Sequence, residues 1–491
     1  MYFFESNKKI IIVEELVKNL KKIRFGTDGW RAVIAENYTF KNVGVVTQAV
    51  ARWIVDEEVT ENGVVIGYDA RFLSERFAKH AAKMFSAMQI PVRISDRITP
   101  TPAISWAAKH FQAVGVVITA SHNPPEYNGY KIKALYGGSA GPDQIAGIEF
   151  RLDLYDESLD IKSYDFLVKS GLIREMNFSE GYMSLIRQSI DLDLIRKSRI
   201  KIAHDPMYGS GRTILKQLLG DQVLEIHGEI NPSFGGIAPE PMGKNVDELS
   251  DFVVENSCSV GIANDGDADR IGMVDENGKF VNSHQLLSLL VKYLVDEKKM
   301  TGKIVKTVST TTMLDKQADK YGLQLDVTPI GFKYIAEKIV AEDVLVGGEE
   351  SGGLAVKGHL PERDGIYIGL LITEMMVKSG KSLSKLVKDL FDEYGLHETH
   401  RNDIHTEDQK KKGMIEYCRE KKLREIAGLK VVDWDMKDGI KHYLNDGSWL
   451  LVRQSGTEPV LRIYSEASSK EKAVALVEDA TAWVDRPVIM E

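Results

Sequence analysis

An α/β fold is predicted from the sequence: four domains around a central cleft, three of them similar mixed-sheet α/β units and the last, C-terminal one α+β. Three observations lead there. Four short apolar runs each open into a polar or glycine-rich loop: AVGVVITASHNP at 113–124, SVGIANDGDADR at 259–270, DVLVGGEESGG at 343–353 and SWLLVRQSGTEP at 448–459. Ahead of the first three lies a further strand-like run and then a helical pattern, as strand, crossover, strand units require. The length of 491 residues exceeds what one core supports. Ligands in open α/β sheets gather beyond the carboxyl ends of strands, so four such loops can converge on one cleft.

In chain order, Val13, Leu16, Val17 and Leu20 recur at helical spacing between lysines, predicting an amphipathic packing helix over 10–23 before Arg24-Phe25-Gly26. The paired units follow as VVIGYDA then SERFAKHAAKMFSAM, IKIAHDPMYG then RTILKQLL, and KIVKTVSTT then MLDKQADKYG. Helix-forming residues 407–426 lead into strands around WLLVRQ and VLRIYSEA and a final helix over 470–483. The expected domains are 1–175, 176–280, 281–395 and 396–491.

A formal net charge of −9 with no clustered basic tract argues against a nucleic-acid binder. Cys258 and Cys418 are far apart and outside any CxxC spacing, which excludes a disulfide framework and a thiolate metal site and suits a reducing, cytoplasmic setting. The first nine residues carry an early acid and no uninterrupted apolar core, so no secretion signal is expected. Apolar runs stop short of the roughly 18 residues a membrane span needs, so a soluble chain is expected.

The candidate chemistry lies in the loops. Thr119-Ala120-Ser121-His122-Asn123-Pro124 sets a serine hydroxyl where a buried strand ends, and the Asn-Pro-Pro run stops further regular structure. That position suits an exposed nucleophile, against the alternative of a Ser/Asn turn capping its own backbone. Asp265, Asp267 and Asp269 alternate with Gly266 and Ala268, so their carboxylates can turn to one side and offer hard oxygen ligands to Mg²⁺. A calcium loop would add Glu276 as bidentate ligand, but Arg270 stands where that loop demands glycine and 259–263 reads as a strand. Mg²⁺ completes its shell with phosphate oxygens, which Ser121 could carry as an ester whose phosphorus the ion makes electrophilic.

Arg453-Gln454-Ser455-Gly456-Thr457-Glu458-Pro459 combines a guanidinium fork, two hydroxyls and a glycine amide, an anion cradle without a Walker motif. Glu349 and Ser351 sit on a glycine-framed loop and can hydrogen-bond adjacent sugar hydroxyls. Lys131 and Lys133 share one strand face just past Ser121, where a lysine could hold charge or move a proton, and Lys133 is expected to be solvated.

Together these residues resemble the α-D-phosphohexomutase family, and most closely its phosphoglucomutase and phosphomannomutase branch. All four loops of that family occur in order, from Phe25-Gly26-Thr27-Asp28-Gly29-Trp30-Arg31 to the heptapeptide at 453. The resemblance implies a phosphoserine at Ser121 and Mg²⁺ held by Asp265, Asp267, Asp269 and the Ser121 phosphate, with Arg270 supporting the loop. It also implies sugar reading by Glu349 and Ser351, substrate-phosphate binding by Arg453, Ser455, Gly456 and Thr457, and proton handling by Lys131, with His122 a second candidate. The implied enzyme is an intramolecular phosphotransferase: phosphoserine donates to a phosphorylated hexose, a hexose 1,6-bisphosphate turns over in the cleft, and its other phosphate returns to Ser121. That bisphosphate is the implied activator.

GEES and Gly331-Phe332-Lys333, without the histidines that mannose and glucosamine relatives often carry at Gly353 and near Phe332, favour glucose, with Lys333 a further phosphate contact. Phosphomannomutase and phosphoglucosamine mutase are the alternatives. From other classes, Gly137-Gly138-Ser139-Ala140-Gly141 matches the GxSxG pattern of serine hydrolases, and a sugar-phosphate sensor without turnover would keep the same cleft.

Overall fold

The computed structural model describes residues 23–26, 28–454 and 460–484. The predicted helix over 10–23 up to residue 22, and Ser455, Gly456 and Thr457, lie outside them. Four sheets follow one another along the chain, three mixed and one antiparallel, as expected.

The first sheet orders its strands Trp30–Val33, Tyr127–Lys133, Val114–Ile118, Val64–Tyr68, Val92–Ser95 and Ile173–Met176. Val114–Ile118 pairs in parallel with Val64–Tyr68 and antiparallel with Tyr127–Lys133, and every one of its residues is buried. A continuous β-branched run suits such a strand, because helices cover both faces of the sheet. Val64, Ile66, Val116 and Ile118 face one apolar cluster; Val65 and Val117 face another with Ile104, Ala107 and Phe178. That is the strand period of two.

In the second sheet, Val260–Asn264 and Ile271–Asp275 form an antiparallel hairpin whose connecting loop is 265–270. The strands on both sides exclude the helix-flanked calcium loop, and Glu276 instead accepts from the Ser384 hydroxyl. The third sheet runs Leu325–Thr328, Lys303–Thr307, Val344–Gly348 and Leu354–Val356. Helix Gly365–Ser379 is buried along most of its length and shares one core with both of these sheets, with Ile262, Ile271, Val346 and Leu354 among its neighbours there. The metal-type loop and the GEES loop are thereby held on one body.

The C-terminal sheet is antiparallel, in the order Glu398–His405, Val460–Ala467, Trp449–Gln454, Ile440–Leu444, Leu429–Asp435 and Glu425–Ile426. Helices Asp408–Arg419 and Lys470–Val484 contribute to the core on one face, while Trp449, Leu451 and Tyr464 on the other meet Val308. The helical reading of 407–426 is too long. Lys421 takes a positive φ of 58° after the helix, and Glu425–Ile426 pairs as an edge strand. Among the described residues, no helix is long and apolar enough to cross a membrane.

Candidate active site

A buried ion pair shapes the Ser121 loop. Asp69, just past strand Val64–Tyr68, accepts from Thr119 Oγ1 at 2.6 Å and Ser74 Oγ at 2.7 Å and lies 3.2 Å from Arg71 Nε. The Arg71 guanidinium donates to the carbonyls of Ser121 (2.7 Å), Asn123 (2.5 Å), Pro124 (2.8 Å) and Tyr127 (3.1 Å). The Arg71 side chain is itself buried, so these carbonyls satisfy a guanidinium withdrawn from water. Ser121 itself adopts φ 55°, a left-handed conformation that side chains seldom take and that clusters at functional sites. Its N–H donates to Thr119 Oγ1 at 2.9 Å, and its own hydroxyl donates to Asp265 Oδ2 at 2.6 Å.

The 265–270 loop closes on this hydroxyl from the second sheet. A Cβ on Gly266 would stand 2.5 Å from the Ser121 carbonyl oxygen, so only glycine lets the two loops meet. Asp265 Oδ1 accepts the Arg270 N–H at 3.0 Å, and the Arg270 guanidinium turns to Glu240 at 3.4 Å. Asp265, Asp267 and Asp269 are buried and each offers a carboxylate oxygen within 4.8 Å of the others. Lys131 Nζ lies 2.8 Å from Asp267 Oδ2, 2.8 Å from Asp269 Oδ2 and 2.7 Å from Asp28 Oδ2. Thr101 Oγ1 donates to Asp267 Oδ2 at 2.5 Å.

The electrostatics of this cage are lopsided. Burial, with Asp269 and Asp267 nearby, pushes the Asp265 carboxyl well above the usual range. Burial acts on Asp267 in the same sense, but Lys131 and the Thr101 hydroxyl outweigh it and hold that group low. For Lys131 burial opposes the charge, and Asp267, Asp269 and Asp28 overcome it, so its ammonium is held more firmly than usual. Among the described residues, the buried Asp267 Oδ1 and Asp269 Oδ1 have no hydrogen-bond partner. Orphaned carboxylate oxygens crowded beside a carboxyl that resists ionisation are the donor set a hard divalent cation would satisfy, so the residues fit Mg²⁺.

His122 is half-buried, and burial together with Arg270, Arg31, Lys131 and Arg71 lowers its pKa well below the usual value, leaving a neutral ring. Glu349 is buried: its Oε1 accepts the Gly331 N–H at 3.0 Å, and burial, resisted by Arg363, pushes its carboxyl up to about 7. Ser351 is half-buried in the same turn. Lys333 is half-buried too, its ammonium 5.2 Å from the centre of the Tyr334 ring.

The raised Glu349 carboxyl carries a pH signature. Its folded pKa of about 7 exceeds the unfolded 4.5, so between those values the folded state binds more protons and stability falls as pH rises. Glu349→Gln keeps the acceptor for Gly331 without the charge. Its melting temperature relative to wild type is expected to be higher at pH 8 than at pH 5, and equal differences at both pH values would contradict the burial effect.

Two expectations need correction. Lys133 is not solvated: it is fully buried, with Nζ 2.6 Å from Glu362 Oε2, because its strand face packs under the segment leading into helix Gly365–Ser379. Ser121 is not exposed either: it is fully buried, because the 265–270 loop closes over it. Arg453 Nε pairs with Asp438 Oδ1 at 2.9 Å while Asp438 Oδ2 accepts the Ile330 N–H. Ser139 donates to Glu362 at 2.8 Å and accepts from Lys133 at 3.1 Å; no histidine is bonded to it among the described residues, so the hydrolase arrangement is not formed.

Residues to which sequence reasoning gave no role complete the site. Asp28 bonds Lys131, and Arg363 Nη2 bonds Asp28 and lies 2.7 Å from Asp269 Oδ2. The signals were an Asp-x-Arg step after a buried strand (69–71) and adjacent charges, Glu362-Arg363, opening an apolar helix.

A serine on a strained turn against a buried three-aspartate cage, ringed by loops from several sheets, defines a phosphotransferase cleft of the phosphohexomutase class. The chain belongs to the phosphoglucomutase/phosphomannomutase family: its α/β/α domains I, II and III match residues 22–158, 180–278 and 282–394, and its C-terminal domain matches 415–482. A Thermococcus kodakarensis phosphoglucomutase/phosphomannomutase is 32% identical, over 91% of this chain and 95% of that protein. A Pyrococcus abyssi protein provisionally named phosphoglucosamine mutase is 33% identical, over 94% of this chain and 97% of its own. The crystal structure of a Thermus thermophilus protein, provisionally named a phosphomannomutase, superposes with a TM-score of 0.83 at 33% identity, covering 94% of this chain and 99% of that one. The protein is therefore an intramolecular phosphotransferase acting on phosphorylated sugars.

Proposed function

We propose that the protein interconverts hexose 1-phosphate and hexose 6-phosphate through a phosphoserine at Ser121, and that mannose and glucosamine phosphates serve it at least as well as glucose phosphates. The observation that carries the mechanism is Ser121 Oγ, held in a left-handed turn 2.6 Å from Asp265 and beside the two orphaned oxygens of Asp267 and Asp269.

Asp265, Asp267, Asp269 and the Ser121 phosphate would hold Mg²⁺, which would supply a Lewis acid to draw charge from the phosphoryl oxygens. Lys131 enters as a cation, ready to offset charge and to give a proton to the departing seryl oxygen, leaving an amine that takes one from the attacking hydroxyl. His122, neutral, is a second acceptor. Glu349 and Ser351 bind sugar hydroxyls, and Arg270 braces the aspartate loop through its backbone. Arg453, Ser455, Gly456 and Thr457 take the phosphate that does not react, Arg453 exchanging Asp438 for it, with Lys333 as an added cation. The hexose 1,6-bisphosphate formed in the cleft presents its second phosphate to Ser121 after turning over, so added bisphosphate restores any enzyme that loses its phosphoserine. Two unpaired cysteines, Cys258 and Cys418, suit a cytoplasmic enzyme.

The choice of sugar departs from the glucose expectation for a structural reason. A Cβ on Gly353 would lie 2.3 Å from Arg363 Cδ, so glycine at 353 reports the packing of that arginine rather than the sugar. The relatives' names, divided between glucose or mannose and glucosamine, support the wider reading. Relative kcat/KM on glucose, mannose and glucosamine 1-phosphates tests it. Mannose or glucosamine is expected within about tenfold of glucose or ahead of it, whereas a preference for glucose of roughly 100-fold or more would restore the glucose assignment.

A further inference from the structure

Glu362 and Arg363 stand side by side at the entrance to helix Gly365–Ser379, and both are almost wholly buried. The helix start is seated on the aspartate loop: Gly365 N–H donates to the Ala268 carbonyl at 3.1 Å, and a Cβ at 365 would lie 2.1 Å from the Arg270 carbonyl oxygen. Asp364 caps the helix through the Tyr367 N–H and accepts the Tyr182 hydroxyl at 2.7 Å. From this fixed base Glu362 reaches into the first sheet. Its Oε2 lies 2.6 Å from Lys133 Nζ and accepts Ser139 Oγ at 2.8 Å. Its Oε1 accepts the Arg363 N–H at 3.0 Å and lies 3.5 Å from Arg363 Nε.

Arg363 spends its guanidinium elsewhere. It bonds Asp28, lies 2.7 Å from Asp269 Oδ2 and 3.9 Å from Glu349 Oε2, and sits 5.4 Å from the centre of the Phe332 ring. A buried ion pair such as Lys133–Glu362 adds little net stability, because desolvation cancels most of the attraction. Its contribution is geometric.

We propose that Glu362, clamped by Lys133 and Ser139, is a positioning residue: it fixes Arg363 so that one guanidinium ties Asp28, the aspartate cage and the sugar-side Glu349 into a single arrangement. Glu362 and Lys133 themselves do not touch the reacting atoms. The inference rests on phosphohexomutase chemistry but not on which sugar is preferred.

The test compares Lys133→Met, Glu362→Met and the double variant, using the hexose phosphate that wild type turns over best. Each single variant strands a buried charge and melts lower than wild type; the double variant strands none and regains most of the loss. In the double variant kcat is expected to stay about 10- to 100-fold down with KM little changed, the mark of misplaced groups rather than of lost protein. Recovery of kcat together with melting temperature would overturn the proposal, since the pair would then be merely structural. Should the double variant fail to fold, Glu362→Asp keeps the charge and withdraws it by one methylene: folded protein with kcat down about tenfold or more upholds the proposal, and wild-type kcat overturns it. A wild type inactive on every hexose phosphate would overturn the mutase reading itself, an outcome distinct from either.

Discussion

Ser121→Ala protein is expected to convert hexose phosphates at least about 10⁴-fold more slowly than wild type, because without the alcohol no phosphoryl ester can form. The loss is chemical and not a collapse of the loop. Arg71 holds the backbone carbonyls of Ser121, Asn123, Pro124 and Tyr127, and none of those bonds involves the deleted hydroxyl. Alanine meets the same steric cost as serine at φ 55°, so strain is unchanged. A steady-state assay beside a melting curve separates the two: turnover vanishes while the melting temperature stays near that of wild type. Residual turnover within about tenfold of wild type would remove Ser121 from the chemistry.

Asp265→Asn separates function from stability in the opposite direction. In the metal-free protein the Asp265 carboxyl is buried beside Asp269 and Asp267 and resists ionisation, so a neutral amide relieves repulsion while its oxygen still accepts from the Arg270 N–H. The apoprotein is expected to melt no lower than wild type. The same change removes an anionic ligand from a cage meant for a hard cation, so the rise in melting temperature on adding Mg²⁺ should shrink or disappear and kcat/KM should fall by about 10³-fold or more. Such a split follows from crowding acids for function at the expense of the empty fold. A variant that keeps both its Mg²⁺ response and its activity would show that the triad is structural.

The parts of the site that could be read in the sequence are those where one short segment carries both strand and chemistry. Val114–Ile118, Val260–Asn264 and Val344–Gly348 are continuous buried runs, and Ser121, Asp265 and Glu349 follow within a few residues, so strand period and turn residues alone put each group at a strand end. The aspartate triad was legible because alternate acids crowd within one short loop. What could not be read depends on contacts between distant segments. Lys133 looks like any strand lysine until Glu362, 229 positions away, covers it. Arg363 meets Asp28 across 335 positions, and Gly353 is required only because Arg363 Cδ fills the space beside it. Arg71 lies between two runs correctly read as strand and helix, and its part in holding carbonyls 50 to 56 residues onward follows from the tertiary fold alone. The sugar was out of reach for the same reason, since an absent histidine reads as specificity where the position is set by packing.

The covalent ester on Ser121 is tested most directly by incubating protein stripped of phosphate with glucose 1,6-bisphosphate and Mg²⁺ and locating the transferred group by peptide mass mapping. One phosphoryl group per chain on the peptide bearing Ser121, absent when a chelator replaces Mg²⁺, is the expected result. No incorporation, or incorporation on another residue such as Ser139, would contradict it.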